Sequence, residues 1–146
     1  MSILNILHYP DKRLRNKSSL VKKIDNNIKK IINNMIHTMH ANNGIGLAAP
    51  QINIHKQIII INISKNNKKN LVLINPKIIK KTGNIGIIEG CLSFPGKEIF
   101  IYRSKYITVK AINFLGQSFK IKTNGLLSIC IQHEIDHLMG ILFIDY

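Results

Sequence analysis

Asn124-Gly125-Leu126-Leu127-Ser128-Ile129-Cys130-Ile131-Gln132-His133-Glu134-Ile135-Asp136-His137-Leu138-Met139 reads as a helix that is apolar around most of its circumference, with Asn124 placed as a cap and Gly140 as the terminator. Leu126, Leu127, Ile129, Cys130, Ile131, Ile135 and Leu138 leave no broad polar stripe, so the helix is expected at the centre of the fold, with strands packed around it. Yet this apolar helix carries two histidines four residues apart. On a helix that spacing projects both imidazoles from one face, where they can grip one metal ion. Unpaired histidines would sit poorly among aliphatic side chains, which favours a metal site over a chance pairing on a solvated face. Glu134 follows His133 directly and is near enough for its carboxylate to serve as general base to an activated water.

A catalytic site of this type needs a third protein ligand and an open position. Cys91 is the best candidate, because it lies in Glu89-Gly90-Cys91-Leu92-Ser93, where glycine permits close backbone approach and a thiolate is a strong ligand. Cys130, one turn before Glu134 among aliphatics, reads as a small buried hydrophobe close enough to line a pocket. Gly44-Ile45-Gly46-Leu47-Ala48-Ala49-Pro50-Gln51 lacks the lysine of a phosphate-binding loop and the glycine spacing of a dinucleotide loop. On its own it is a tight turn, ended by an amide donor on Gln51 that suits a developing oxyanion.

Working outward, Ile28, Ile31, Ile32, Met35, Ile36 and Met39 recur at three- and four-residue steps and predict an amphipathic N-terminal helix from Asp25, its N-cap, to about Asn42, closing in Asn42-Asn43-Gly44. Gln57 to Ile63 and Leu71 to Asn75 read as strands around a polar turn, Ser64 to Asn70. Tyr106 to Phe114 and Ser118 to Lys122 resemble a hairpin about Leu115-Gly116-Gln117, with Val109, Ala111 and Ile121 facing a core. The fold class expected is α+β, with mixed and antiparallel strands packed around the central HExxH helix and the N-terminal helix beside them. The 146 residues, 45% of them hydrophobic, suit one domain that buries its core without disulfides.

The N-terminal order of apolar and basic residues is the reverse of a signal peptide, and the most apolar run, Ile58 to Ile63, is too short to cross a membrane. A cytoplasmic protein with free thiols and no membrane partner is expected. The formal net charge of +14 would attract polyanions. Lysine far outnumbers arginine, however, and isoleucine and asparagine are also abundant, the residue set that an A+T-rich genome encodes. With no zinc-finger, RNA-recognition or helix-turn-helix pattern, sequence-specific nucleic-acid binding is set aside as the primary function.

Taken together, GIGLAAPQ, EGCLS and QHEIDH, in this order and spacing, strongly resemble the three signature motifs of peptide deformylases. The likeness runs from the opening HYPDKRLR through LVLINP to LFIDY, and so covers essentially the whole chain. It implies a metal-dependent hydrolase that removes the N-formyl group from the N-terminal methionine of nascent polypeptides and releases formate. By that resemblance Cys91, His133 and His137 hold one divalent ion, with Fe²⁺ expected and Ni²⁺, Co²⁺ or Zn²⁺ tolerated. Glu134 activates the water and then protonates the leaving amine. Gln51 and the Leu92 backbone N–H polarise the formyl oxygen. Gly44, Ile45, Gly46, Ile87, Leu126, Ile129 and Cys130 receive the methionine and its flanking backbone, and Gly96 to Ile99 borders the extended peptide. Glu89 and Arg103 are expected to pair and orient the Cys91 loop, while Asp136 is either a partner in that arrangement or a surface carboxylate.

The HExxH pattern alone would also serve a zinc endopeptidase, but such enzymes usually take a Glu or His ligand from downstream, and the nine residues after His137 contain neither. A purely structural metal would normally recruit four protein ligands, and three are found. Many bacterial deformylases continue past the LFIDY segment into a helical tail. The expectation is therefore a single catalytic domain over residues 1–146 without that tail, monomeric, and acting in proximity to the ribosome.

Overall fold

The computed structural model describes residues 2–64, 66 and 69–146. In chain order the elements are α1 (Asn26–Ala41), β1 (Gly46–Ala48), β2 (Ile58–Ile61), β3 (Leu71–Thr82), β4 (Ile85–Gly90), β5 (Glu98–Arg103), β6 (Tyr106–Ile112), β7 (Ser118–Asn124) and α2 (Gly125–Leu138). Short 3-10 turns lie at Lys12–Arg15, Ala49–Ile52 and Phe143–Asp145.

Four consecutive isoleucines leave no polar side for a strand to turn to water, and β2 is accordingly buried on both faces. Ile58 and Ile60 pack with α1 through Ile28, Ile32, Met35 and Met39. Ile59 and Ile61 face the other way, toward Cys130, Ile131 and Leu138 of α2. The sheet, ordered β1-β2-β3-β6-β7, is thus interposed between the helices in its first strands, and β4 with β5 forms a separate two-stranded sheet. A third cluster, Leu7, Leu14, Phe94, Ile101, Leu142 and Phe143, ties both ends of the chain to β5. Every strand pair is antiparallel, and the only parallel pairing among the described residues is a single bridge, Ser19 with Lys56, so the strand directions are less mixed than expected.

Asp25 caps α1 by accepting the Ile28 N–H at 3.0 Å, and the left-handed residue after the helix is Asn43 (φ 56°). Asn124 stands at the N-cap position of α2, but its side chain makes no capping bond. Strand β3 runs past the Asn75 limit set by sequence, through Pro76 to Thr82. Asn75 adopts φ 52° at a register shift, where a proline without an N–H is tolerated. Its side chain both accepts from the Val21 N–H and donates to the Val21 carbonyl, each at 2.8 Å, which fixes the bulge against the N-terminal segment. Val109 and Ala111 are buried and Ile121 packs against them. The polar turn read at Ser64 to Asn70 lies partly outside the described residues. Strands β4 and β5 are absent from the sequence reading, because glycines at 86 and 90 interrupt the first and its alternation is hidden by Ile88 on the bare face, as that of the second is by Phe100 and Tyr102.

Candidate metal centre

Helix α2 delivers His133 and His137 side by side, with their Nε2 atoms 3.2 Å apart. The Cys91 Sγ, just beyond the end of β4, approaches His137 Nε2 at 3.4 Å. One ligand atom from each of the three residues lies within 4.8 Å of the other two. A thiol sulfur and two imidazole nitrogens held this close are well placed to share a cation. Protonation points the same way. Burial opposes a charge on His133, but Glu134, Cys91 and Glu89 outweigh it and hold the imidazole protonated above its ordinary range. Burial, and then the charge on His133, push His137 well below its ordinary range. In the absence of metal the pair keeps one proton, which a cation would displace. The residues present therefore fit a divalent ion.

Their orientation is set from behind. His133 Nδ1 lies 2.7 Å from Glu89 Oε1, which fixes the ring so that Nε2 faces the cluster. Glu89 in turn accepts two bonds from Arg103, and the Arg103 Nη1 donates to Asp136 Oδ2 at 2.9 Å. The Tyr146 hydroxyl also donates to that Asp136 oxygen, and the Arg103 guanidinium stacks over the Tyr146 ring at 4.8 Å. Burial would raise Glu89, but His133 and Arg103 overcome it and hold the carboxylate ionised; Arg103 is held charged by Glu89 and Asp136 against burial. Asp136, which the sequence allows either beside Arg103 or on the surface, bonds to both Arg103 and Tyr146.

Glu134 is 5% exposed, and its Oε1 has no hydrogen-bond partner among the described residues. Burial pushes its carboxyl up to about 7, with Glu89 and Asp136 adding to the effect and His133 and Arg103 opposing it. A Cβ on Gly46 would come within 2.6 Å of Glu134 Oε2, so glycine at this point makes room for the carboxylate. Gln51, at the end of a 3-10 turn, accepts the Ala48 N–H with its Oε1 and donates from Nε2 to Ser93 Oγ at 3.1 Å. The same nitrogen lies 3.6 Å from Cys91 Sγ, so the amide reaches the edge of the cluster.

These groups border a cavity of about 650 Å³. Gly44, Ile45, Gly46, Ile87, Leu126, Ile129 and Cys130 all line it, together with Gln51, Leu92 and Gly96. His137, Arg103 and Asp136 lie behind the wall and do not line the cavity. Burial pushes the Cys130 thiol up to about 12, helped by Glu134 and Glu89, so it is a neutral wall residue. Sequence reasoning gave no role to Ser93, which anchors Gln51, or to Tyr146, which anchors Asp136. Both stand inside segments that carried the family resemblance, which was the available signal. His8 on the cavity wall and Phe143, edge-on to the His133 ring at 5.8 Å, were missed as well.

Comparison with known proteins agrees with this geometry. The family described as "Polypeptide deformylase" matches residues 3–146. The peptide deformylase of Buchnera aphidicola subsp. Acyrthosiphon pisum is 58% identical over the whole of this chain, which spans 84% of that protein. That of Wigglesworthia glossinidia brevipalpis is 56% identical, with 100% of this chain and 96% of the relative covered. The crystal structure of a peptide deformylase from Legionella pneumophila superposes with a TM-score of 0.96 at 42% identity, covering 99% of this chain and 85% of that one.

Proposed function

Because the chain belongs to the polypeptide deformylase family, we propose that its cavity performs deformylation through Glu134 as the proton carrier, Cys91, His133 and His137 as the ligands, and Gln51 with Leu92 as oxyanion donors. The protein is a metal-dependent hydrolase that removes the formyl group from nascent peptides, yielding formate and a free amino terminus. The observation that carries the residue assignment is the cluster of three ligand atoms with the buried, unpartnered Glu134 carboxylate beside it.

A bound divalent ion, for which Fe²⁺ is our choice, would act as a Lewis acid toward water and the formyl oxygen. The remaining chemistry belongs to the chain. Glu134, with one oxygen free, takes a proton from the attacking water and returns it to the departing amine. The Gln51 N–H that lies near Cys91 Sγ, with the Leu92 N–H, donates to the oxygen on which negative charge develops. Ile45, Ile87, Leu126, Ile129 and Cys130 form an apolar recess that takes the methionine side chain and keeps bulk water from the reacting carbon. Strand β1 is an edge strand of the sheet and β4 flanks the same cavity, so an extended peptide can pair with backbone at Gly44 to Ile45 and run toward Gly96 to Ile99. Backbone pairing explains acceptance of varied downstream sequences. The helix that holds Glu134 and both histidines is the organising element of this reading, and the described residues act as one catalytic domain.

No helix among the described residues is long and apolar enough to cross a membrane. Two free thiols fit a reducing, cytoplasmic setting. The assignment is tested by formate release from a short formyl-Met peptide by protein loaded anaerobically with Fe²⁺, with metal analysis in parallel. One ion per chain and turnover of the formyl peptide, but not of a blocked internal peptide, is the expected result. Cleavage of the internal peptide, or full activity after complete removal of metal, would overturn it.

A further inference from the structure

The face of the sheet turned away from α2 changes character beyond β2. Over β3, β6 and β7 the register sets Lys77 opposite Lys110 and Lys110 opposite Lys120. The next row is Lys80, Thr108 and Lys122, and the one after it Thr82, Tyr106 and Asn124. All five lysines are exposed, and among the described residues none of them enters an ion pair. No Asp or Glu occurs in any of the three strands. Strands stand about 4.8 Å apart and alternate residues about 6.7 Å, so five ammonium groups spring from a patch roughly 10 Å by 7 Å. That is close to one Debye length, about 8 Å at physiological salt, so the charges repel one another. Like charges directly opposite in a sheet are destabilising. A compositional drift toward lysine explains their number, but not their alignment on one face without a single carboxylate.

The patch is also concave at one end. Lys80, Thr82, Tyr106, Thr108, Lys122 and Asn124 line a hollow of about 290 Å³. Tyr106 is 48% exposed, and the Lys105 ammonium lies 5.4 Å from its ring centroid. Ammonium groups, hydroxyls and an amide can all donate to phosphate oxygens, and an exposed ring beside them offers a base a stacking surface. A bilayer surface would call for several exposed apolar side chains among the lysines, and here the hollow offers threonines, an asparagine and the single exposed ring of Tyr106, with Ile107 buried beneath.

We propose that this lysine face binds the phosphodiester backbone of single-stranded RNA without reading its sequence. The site is separate from the catalytic cavity, which lies on the α2 side. The face would hold the enzyme against RNA while the cavity stays open to a peptide, in keeping with a substrate that is a nascent chain.

The test compares two triple variants that remove equal charge. One is Lys110→Gln, Lys120→Gln and Lys122→Gln; the other is Lys12→Gln, Arg13→Gln and Lys17→Gln, all exposed and on the N-terminal segment that Arg15 and Ser18 tie to the end of α2. Binding of a labelled 20-nucleotide oligouridylate is measured over a salt series, with anionic phosphatidylserine vesicles and polyglutamate as alternative polyanions. The sheet-face variant is expected to lose at least tenfold in RNA affinity, with a log–log salt slope smaller by about 2, from roughly 0.7 per lost phosphate contact on a single strand. The N-terminal variant should stay within about threefold of the parent, since it touches no phosphate. Equal losses in the two variants would reduce the effect to net charge and overturn the proposal. So would vesicle binding that exceeds RNA binding, or polyglutamate that competes as well as RNA. Both variants should turn over a short formyl peptide like the parent, and this readout fails independently if the catalytic assignment is wrong.

Discussion

Helix α2 and the β4–β5 hairpin face the same cavity, but they are held in place by different forces. From Ser128 to Glu134 every residue of the helix is buried, and its position is fixed by aliphatic packing against β2, β3 and β6. The hairpin keeps one face bare, with Ile88, Phe100 and Tyr102 at 61%, 56% and 60% exposure. Its inner face is fastened to the helix by charge, through Arg103 to Asp136 and Glu89 to His133. The difference teaches that the reacting groups are carried by a rigid apolar element, whereas the geometry of the ligands depends on an ionic clamp between two elements. Apart from the two histidine ligands themselves, substitutions in the helix should therefore alter chemistry, and substitutions in the hairpin should alter metal retention and stability.

The sharpest test of that division is Glu134→Gln, which keeps shape and removes the base. Deformylation should fall about a thousandfold, within the range for a lost general base, while metal content stays at the parental value. Metal loss in this variant would break the division from the helix side. Gln51→Ala comes next, and single-turnover kinetics should show the chemical step slowed about a hundredfold, the scale of one oxyanion donor. A change confined to KM would make Gln51 a substrate-positioning group. On the hairpin side, Arg103→Ala leaves Glu89 buried without its cation. Metal affinity should drop roughly 10- to 100-fold, the usual effect of losing a group that orients a ligand, as read by competition with a chelator. Stability should fall by about 3 kcal/mol or more, measured by urea unfolding. If Arg103→Ala instead slowed turnover with metal fully bound, clamp and chemistry would not be separable.

The two cysteines give the finest contrast. Cys91→Ser should lose the ion on dialysis, because a hydroxyl is a poorer ligand than a thiolate, and Cys130→Ser should retain it. Alkylation followed by mass spectrometry should label Cys91 only after chelation. Cys130, with its thiol raised to about 12 and only 8% exposed, should stay unlabelled until the chain unfolds. Early labelling of Cys130 would show that the helix wall opens more readily than its burial suggests.

What was legible in the sequence follows the same line. Helix α1 announces itself through periodicity and an Asp25 cap, α2 through an apolar run closed by Gly140, and β2 through four isoleucines that admit no solvent face. His133, Glu134 and His137 could be placed because helical spacing converts sequence distance into geometry. Hairpin β4–β5 had no such converter. Ile85-Gly86-Ile87-Ile88-Glu89-Gly90 has apolar residues on both faces, and the salt bridge that justifies the burial of Glu89 comes from Arg103, fourteen residues away on another strand. The link from Gln51 to Ser93 spans 42 residues and joins two loops, a contact that no local pattern encodes. Pro76 made β3 look shorter than it is, since the compensating bulge depends on Asn75 reaching back to Val21.

The seating of β2 between β1 and β3 has a kinetic consequence. Its backbone is paired along both edges and its side chains are packed on both faces, so its amides have no route to solvent short of global opening. Strands β4 and β5 pair only with each other, and one face is already wet. In deuterated buffer, exchange should begin on the hairpin beside Cys91 and reach Ile59 to Ile61 last. The cavity then has the early-opening hairpin as one wall and, as the other, a helix backed by a strand that opens only with the whole fold, so an ion would enter or leave past the hairpin.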